Sequence, residues 1–267
     1  MKTPRPSFLR RLSAGFTLVE MIGVMAILAI MAGILTPNVL RSIERASVVA
    51  EQQTLGKLGG QVKKYLHDYG FVPAVGTWDT NIATYSEVSV LDIRTNKRQN
   101  NRVYLLDPDP AAPQERAIIL SSMRAGMALP TSANINTALR FAALWDTVDG
   151  QVPSAVSWGG WTAQAAEYLI IERINFKSEY RTIVLQNTSN VLPAIPASVS
   201  YGVQPPQGPL QPGVTIIAGG STTLRLVPNM RLNLYLGTTP ATGIDYSYVV
   251  NTTPKKFDFN GSHWIPQ

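Results

Sequence analysis

From Phe16 to Leu35 the chain reads FTLVEMIGVMAILAIMAGIL, twenty residues whose only charge is Glu20 and whose only other polar side chain is Thr17. As a helix, a run of this length spans about 30 Å, the hydrocarbon thickness of a bilayer. A helix packed in a soluble core keeps a polar stripe at a period near 3.6, and none is visible here. The run reads as a membrane span. The residues before it and those after Pro37 then lie on opposite sides of a bilayer.

Flanking charge sets the direction. Residues 1–15 hold Lys2, Arg5, Arg10 and Arg11 with no acid, whereas beyond the run Arg41 and Arg45 are offset by Glu44 and Glu51. The positive-inside rule places the N-terminus in the cytoplasm and the rest in a periplasmic or extracellular space. The formal charge of +6 belongs mostly to this leader, since the remaining chain has 19 basic against 17 acidic residues. That removes the case for a general nucleic-acid binder. With 45% hydrophobic residues and no Cys, the chain is neither disordered nor disulfide-scaffolded. The 197 residues after position 70 suffice for one globular domain.

A carboxylate in an apolar span is expensive, so Glu20 is a candidate functional residue that needs a cationic partner. The end of the run, Gly33-Ile34-Leu35-Thr36-Pro37-Asn38, lacks the Ala-x-Ala pattern of a secretory cleavage site. At the other end, Gly15-Phe16-Thr17-Leu18-Val19-Glu20 resembles the processing site of type IV prepilins and type II secretion pseudopilins. The resemblance covers about the first 55 residues. It implies cleavage by a prepilin peptidase after Gly15, N-methylation of Phe16 as the first mature residue, and an assembly role for Glu20. It also implies that Pro37 is the family's helix-kinking proline. The partners implied are the prepilin peptidase and methylase, other pilin or pseudopilin subunits, an inner-membrane assembly platform and membrane lipid.

The chemistry supports this without the name. Cleavage at Gly15 frees an ammonium at Phe16, and methylation keeps its charge. In a low-dielectric filament interior that ammonium and the Glu20 carboxylate, of one subunit or of neighbours, stabilise each other and set axial register.

Beyond Pro37, apolar residues at Ile43, Ala46, Ala50, Leu55, Leu58, Val62, Leu66 and Tyr69 recur at helical spacing, with Arg41, Glu44, Glu51, Lys57 and Lys63 between them. The expected layout is a leader at 1–15, a membrane half of a helix at 16–36, an amphipathic half at 37–69 and a β-rich domain at 70–267. Gly56, Gly59 and Gly60 weaken the helix locally, and Gly70 is the expected stop. Strands are expected at Val103–Leu106, Ala117–Leu120, Val214–Ala218, Thr222–Val227 and Arg231–Leu236, the last two joined by Pro228-Asn229-Met230. A hairpin is expected from Tyr168–Phe176 and Arg181–Gln186, with Lys177-Ser178-Glu179 as its turn. A further helix is expected over 132–147. The prolines from Pro193 to Pro212 suggest a surface excursion that holds at most one short strand, Ala197–Val203. The fold class is α+β, pilin-like, with a long N-terminal helix packed on a mostly antiparallel sheet.

Motifs for catalysis are missing: there is no G-x-S-x-G, P-loop, G-x-G-x-x-G or H-E-x-x-H. The chain is not read as an enzyme. His67 and His263 are assigned to packing or surface. No cofactor is expected; calcium, which some major pseudopilins hold near the C-terminus, would have to use Asp107 with Asp109, or Asp245, Asp258 and Asn260. Asp258-Phe259-Asn260-Gly261 offers too few oxygens at metal-ligand spacing and reads as an Asn-Gly turn. Arg94, Lys97, Arg98 and Arg102 form a basic stretch without interleaved aromatics, read as a solvated connection and not a DNA site. Trp158 and Trp161 are assigned to packing.

The combined reading is a structural subunit of a type II secretion pseudopilus, minor or atypical, in the bacterial inner membrane. The missing Cys pair departs from many type IV pilins, whose C-terminal loop is closed by a disulfide. The alternatives are a type IV pilus minor pilin, DNA-uptake pilins included, and, in another class, a membrane-anchored periplasmic binding domain.

Overall fold

The computed structural model describes residues 17–109, 115–124, 126–152, 168–189, 198–238, 243–253 and 255–267. Two compact units are present, one ending at Ser47 and one running from Val48 to Gln267. Helix α1, Leu18–Tyr69, contributes residues to both.

In the first unit α1 is apolar all round from Met21 to Met31, with Met25 68% and Ile30 64% exposed. Its richest 18-residue window has a mean hydropathy of 2.5. Thr36 and Ser47 donate their hydroxyls to the carbonyls of Ala32 and Ile43, the local bond that lets a hydroxyl sit in an apolar helix.

In the second unit α1 becomes one-sided. Leu55, Leu58, Val62, Tyr65 and Leu66 are buried at spacings of three and four, as the pattern requires. The helix runs unbroken through Gly56, Gly59 and Gly60. It stops at Gly70, whose φ of +80° only glycine adopts freely and whose N–H donates to Leu66 O at 2.8 Å. Gly59 has a packing reason: a Cβ there would stand 2.9 Å from Oε1 of Glu172.

After α1 come α2 (Trp78–Ser86), α3 (Val90–Arg94), β1 (Val103–Leu106), β2 (Arg116–Ser122), α4 (Ala138–Trp145), β3 (Leu169–Asn175), β4 (Arg181–Asn187), β5 (Ser200–Gln204), β6 (Gln211–Pro212), β7 (Ser221–Leu226), β8 (Arg231–Tyr235), β9 (Ile244–Val249), β10 (Lys255–Phe259) and β11 (Trp264–Pro266). Among the described residues the strands form three sheets, ordered β1-β2-β3, β11-β10-β4-β7 and β6-β5-β8-β9. Every pair is antiparallel except β10 with β4. The expected α+β class, a long N-terminal helix with mostly antiparallel strands, is present.

The first sheet explains its own apolar runs. Tyr104, Ala117, Ile119, Ile170 and Ile174 face the main core with the α1 residues, while Leu105, Ile118, Leu120, Leu169 and Ile171 face a second core closed by Phe141 and Leu144 of α4. With both faces covered, Ala117–Leu120 and Leu169–Ile171 read as unbroken apolar runs. The other two sheets meet in the main core through Ile183, Leu185, Leu224 and Phe257 on one side and Val203, Leu232 and Leu234 on the other. Trp264 Nε1 of β11 ties them by donating to Tyr235 O of β8 at 3.1 Å.

Several expectations are corrected. Tyr168–Phe176 and Arg181–Gln186 are strands but not a hairpin: β3 pairs with β2, and β4 pairs with β7 and β10. The β7 and β8 strands, joined by Pro228-Asn229-Met230, likewise enter different sheets. Val214–Ala218 makes only one bridge, Val199 to Ile216, and Val214 and Ile217 are exposed. The helix over 132–147 is reduced to α4, begun by Thr137, whose hydroxyl accepts from Arg140 N–H at 3.3 Å. The proline-rich stretch is not merely an excursion, because β5 is an interior strand with Tyr201 and Val203 buried. Elements α2, α3, β6, β9, β10 and β11 carried no sufficient local signal.

The basic stretch is also corrected. Arg102 is 3% exposed and forks onto Glu51 of α1, Nε to Oε1 at 2.7 Å and Nη2 to Oε2 at 2.9 Å. Its third nitrogen donates to the carbonyls of Asp92 and Ile93 at the C-terminus of α3. Arg94 pairs with Asp79 of α2 at 2.6 Å. Of the four basic residues only Arg102 is buried; Arg94, although paired with Asp79, stays exposed together with Lys97 and Arg98. Breaking a buried pair from one side strands the other charge, so Arg102→Ala is expected to cost about 3–5 kcal/mol, whereas Arg102→Met with Glu51→Leu costs less than either single change. Thermal unfolding of the full chain in detergent, across the double-mutant cycle, measures this.

Candidate functional site

The sequence places the site at the start of α1. Gly15 and Phe16 lie outside the described residues. Thr17 and Glu20 are described, and they form a capping box. The Thr17 N–H and Oγ1 donate to Glu20 Oε2 at 2.9 and 2.8 Å, the Glu20 N–H faces Thr17 Oγ1 at 3.3 Å, and the Met21 N–H closes the first turn on Thr17 O at 3.1 Å.

The arrangement has two chemical consequences. A carboxylate at the third position of a helix complements the positive end of the helix dipole and satisfies a donor the helix cannot. Both bonds from Thr17 fall on Oε2, which aims the carboxyl toward the N-terminal end of α1. The Thr-x-x-Glu spacing is visible in the sequence as a capping signal, and Thr17 is the site residue that sequence reasoning passed over. Pro37 falls inside α1, which continues through it.

The first-turn geometry sits inside a longer pattern. Residues 10–36 match the family model described as the prokaryotic N-terminal methylation motif. The chain carries the type IV prepilin and pseudopilin signature. A segment of this type supports a pilin- or pseudopilin-like processed subunit and implies processing by prepilin peptidase and assembly with other pilins. The apolar helix that carries the prepilin signature fits inner-membrane anchoring through a single helix. The long helix and antiparallel strands fit a pilin-like fold.

No curated protein matches the chain. Among solved structures it is similar to the human-specific toxin intermedilysin, at 12% identity and a TM-score of 0.22, over 57% of this chain and 48% of that one. A structure titled "Trapped Toxin" matches at 13% identity and a TM-score of 0.22, over 57% and 46%. The chain spans about half the length of these proteins, and so low a similarity carries no functional meaning.

The other candidate residues are distributed through the second unit. His67 and Lys63, one helical turn apart on α1, both reach Glu179 after β3, at 3.0 and 3.1 Å. Burial pushes the Glu179 carboxyl up, and the bonds from His67 and Lys63 outweigh it, leaving it below its ordinary range. At Glu172, beside Gly59, burial prevails and holds the carboxyl above the ordinary value of 4.5.

The oxygen sets considered for calcium are separately engaged. Asp107 accepts from Arg116 at 2.6 Å, and its other oxygen accepts the Asp109 N–H at 3.1 Å. Asp245 holds His263 at 2.8 Å and the Trp264 N–H at 2.7 Å. Asp258 pairs with Lys256, and Asn260 Oδ1 caps a turn by accepting the Ser262 and His263 N–H groups. Among the described residues no three His, Cys, Asp or Glu side chains gather as a metal site. Trp158 and Trp161 lie outside the described residues.

Opposite shifts give opposite pH behaviour. Folding depresses the Glu179 carboxyl, so its contribution is present above the ordinary value and lost as pH falls through the lowered one. Glu179→Gln is expected to cost about 1 kcal/mol at pH 7. Folding raises the Glu172 carboxyl, so its ionised form opposes folding at neutral pH, and that cost disappears below the ordinary value. Glu172→Gln is therefore expected to raise Tm at pH 7 and leave it unchanged in acid, as read by thermal melts at several pH values.

Proposed function

We propose that the chain is cut after Gly15, methylated at Phe16, and assembled through its apolar helix into a helical filament, the pseudopilus of a type II secretion system. The observation that carries this reading is the methylation motif at residues 10–36 with Glu20 already drawn to the first turn of the mature helix by Thr17. Removing the leader converts a neutral peptide bond at Phe16 into an ammonium one residue from that capping box. The ammonium then meets Glu20 of its own or a neighbouring subunit, where low dielectric makes the pair worth forming and an unpaired member costly. The pair fixes how far one subunit slides along the next.

The leader's four basic residues orient the precursor with its N-terminus in the cytoplasm and the domain after Pro37 in the periplasm. Pro37 supplies a place for the helix to bend as it leaves the bilayer. The partners are the prepilin peptidase and methylase, the inner-membrane assembly platform and other subunits. Secretion is preferred to a pilus because the chain has no Cys with which to close a C-terminal loop. Burial of Arg102 in its ion pair with Glu51, and the pairing of Arg94 with Asp79, weaken the DNA-uptake alternative.

Mass spectrometry of the N-terminal peptide from membranes, with and without the cognate prepilin peptidase, is expected to find methylated Phe16 only when the peptidase is present. An intact Met1 end, or a cut after residue 35, returns the chain to an anchored or secreted domain.

Glu20→Ala is expected to leave membrane insertion intact. Stranding a buried ammonium costs about 3–5 kcal/mol, so filament incorporation should fall about a hundredfold or more. Pulldown of crosslinked filaments against total membrane protein reads both quantities. Normal incorporation of the variant would remove the register role.

A further inference from the structure

The chain holds three Asn-x-Ser/Thr triplets, at Asn187, Asn251 and Asn260, all in the second unit. Such a triplet is the acceptor that oligosaccharyltransferases modify, and a glycan is bulky and hydrophilic, so the fold can carry one only where the asparagine is exposed. The structure separates the three.

Asn187 is fully buried. Its Nδ2 donates to Ile216 O at 3.1 Å, and its Oδ1 accepts from the N–H and the hydroxyl of Ser189 at 3.2 and 2.6 Å. A sugar on that nitrogen has no room in a packed interior and disturbs a buried hydrogen bond, so this triplet serves the fold. Asn251 is exposed after β9, and its Oδ1 accepts the Tyr248 hydroxyl at 2.8 Å and the Thr253 N–H at 2.9 Å. Pro254 follows its triplet directly, which stiffens the chain next to the threonine that a transferase has to read.

Asn260 lies in the turn from β10 to β11, where residues 260–263 are all exposed. Its Oδ1 accepts the Ser262 and His263 N–H groups at 2.9 and 3.0 Å, which fixes the amide in an Asx-turn. Gly261 makes the reversal with a φ of +103°. Among the described residues Asn260 Nδ2 makes no hydrogen bond, so a substituent on it displaces nothing, and the Ser262 hydroxyl is equally unengaged.

The residues before it add a second signal. Asp258 stands two positions ahead, giving Asp258-Phe259-Asn260-Gly261-Ser262. A carboxylate at that place gives a bacterial oligosaccharyltransferase a charge to hold by an ion pair, which the bare triplet lacks. Leu185 and Val249, two positions ahead of the other asparagines, offer none.

We propose that Asn260 is an N-glycosylation site, modified by a bacterial oligosaccharyltransferase on the periplasmic side of the membrane. Nδ2 attacks the anomeric carbon of an oligosaccharide carried on a polyprenyl pyrophosphate. The C–N bond forms as the C–O bond to pyrophosphate breaks, the amide proton passes to the transferase, and the lipid pyrophosphate leaves. Asp258 and Phe259 belong to β10, between β11 and β4, so the transfer takes place before Trp264–Pro266 docks as β11. The finished fold then carries the glycan outward from the turn. The site rests on the periplasmic placement of the domain under the proposed function.

The test uses the full chain purified from its native membranes, digested with trypsin and read by mass spectrometry with electron-transfer fragmentation. Cleavage after Lys256 gives peptide 257–267, which contains one triplet. That peptide is expected to carry an oligosaccharide mass on Asn260. Ser262→Ala, which removes only an exposed hydroxyl, should abolish the modification with Tm unchanged, and Asp258→Asn should abolish it too. Asn251→Gln should leave it intact.

A peptide 257–267 that is only unmodified, or changed only by deamidation at Asn260, overturns the proposal. A glycan that persists in Ser262→Ala or in Asp258→Asn does the same. Protease added to spheroplasts reads the placement separately. An unmodified peptide from a domain that the protease reaches removes the glycosylation alone, whereas a protected domain removes the periplasmic placement on which it stands.

Discussion

Leu55, Leu58, Val62 and Leu66 of α1 share one core with side chains from all three sheets, and the second unit exists because that apolar stripe has to be covered. Each such side chain is worth about 1.5–3 kcal/mol when fully buried. No single sheet could cover the stripe and keep its own far face dry. The first sheet solves this by taking α4 on its other side, which is why Ala117–Leu120 and Leu169–Ile171 are unbroken apolar runs. The two four-stranded sheets solve it by packing on one another, with Tyr246 and Tyr248 of β9 5.6 and 5.2 Å from Phe257 of β10.

Polar groups then decide where along α1 the sheets and short helices attach. Arg102 links Glu51 of the helix to the end of α3, and Glu179 gathers Lys63 and His67 from the helix onto the segment after β3. Between these two fastenings, Gly59 leaves room for Glu172 to lie close to the helix. Hydrophobic burial is indifferent to a shift of one helical turn, whereas a bidentate ion pair is not. The buried pair therefore reads as a device for position as much as for stability.

At the other end of α1 the same logic runs in an apolar setting. Thr17 gives the Glu20 carboxyl two donors within the first turn, so the acid is partly accommodated without a further partner. An ammonium at Phe16 would add to this arrangement without having to create it.

The membrane run, the methylation motif, the amphipathic half of α1, its stop at Gly70 and most of β1, β2, β3, β4, β7 and β8 were legible in sequence, because each depends on periodicity or on a few adjacent residues. Strand partners were not. Lys177-Ser178-Glu179 has the composition of a hairpin turn, yet β3 and β4 part there, because β-branched runs specify burial and leave the neighbour to be chosen by packing across the whole domain. Weakly patterned β9 and β10 were missed since their order comes from the strands beside them. Sequence alone was enough to find the methylation motif, because it lies in one short consecutive run. Tertiary structure alone decided that Arg102 belongs to Glu51, 51 positions away, because contacts between distant residues are fixed only when the chain closes on itself.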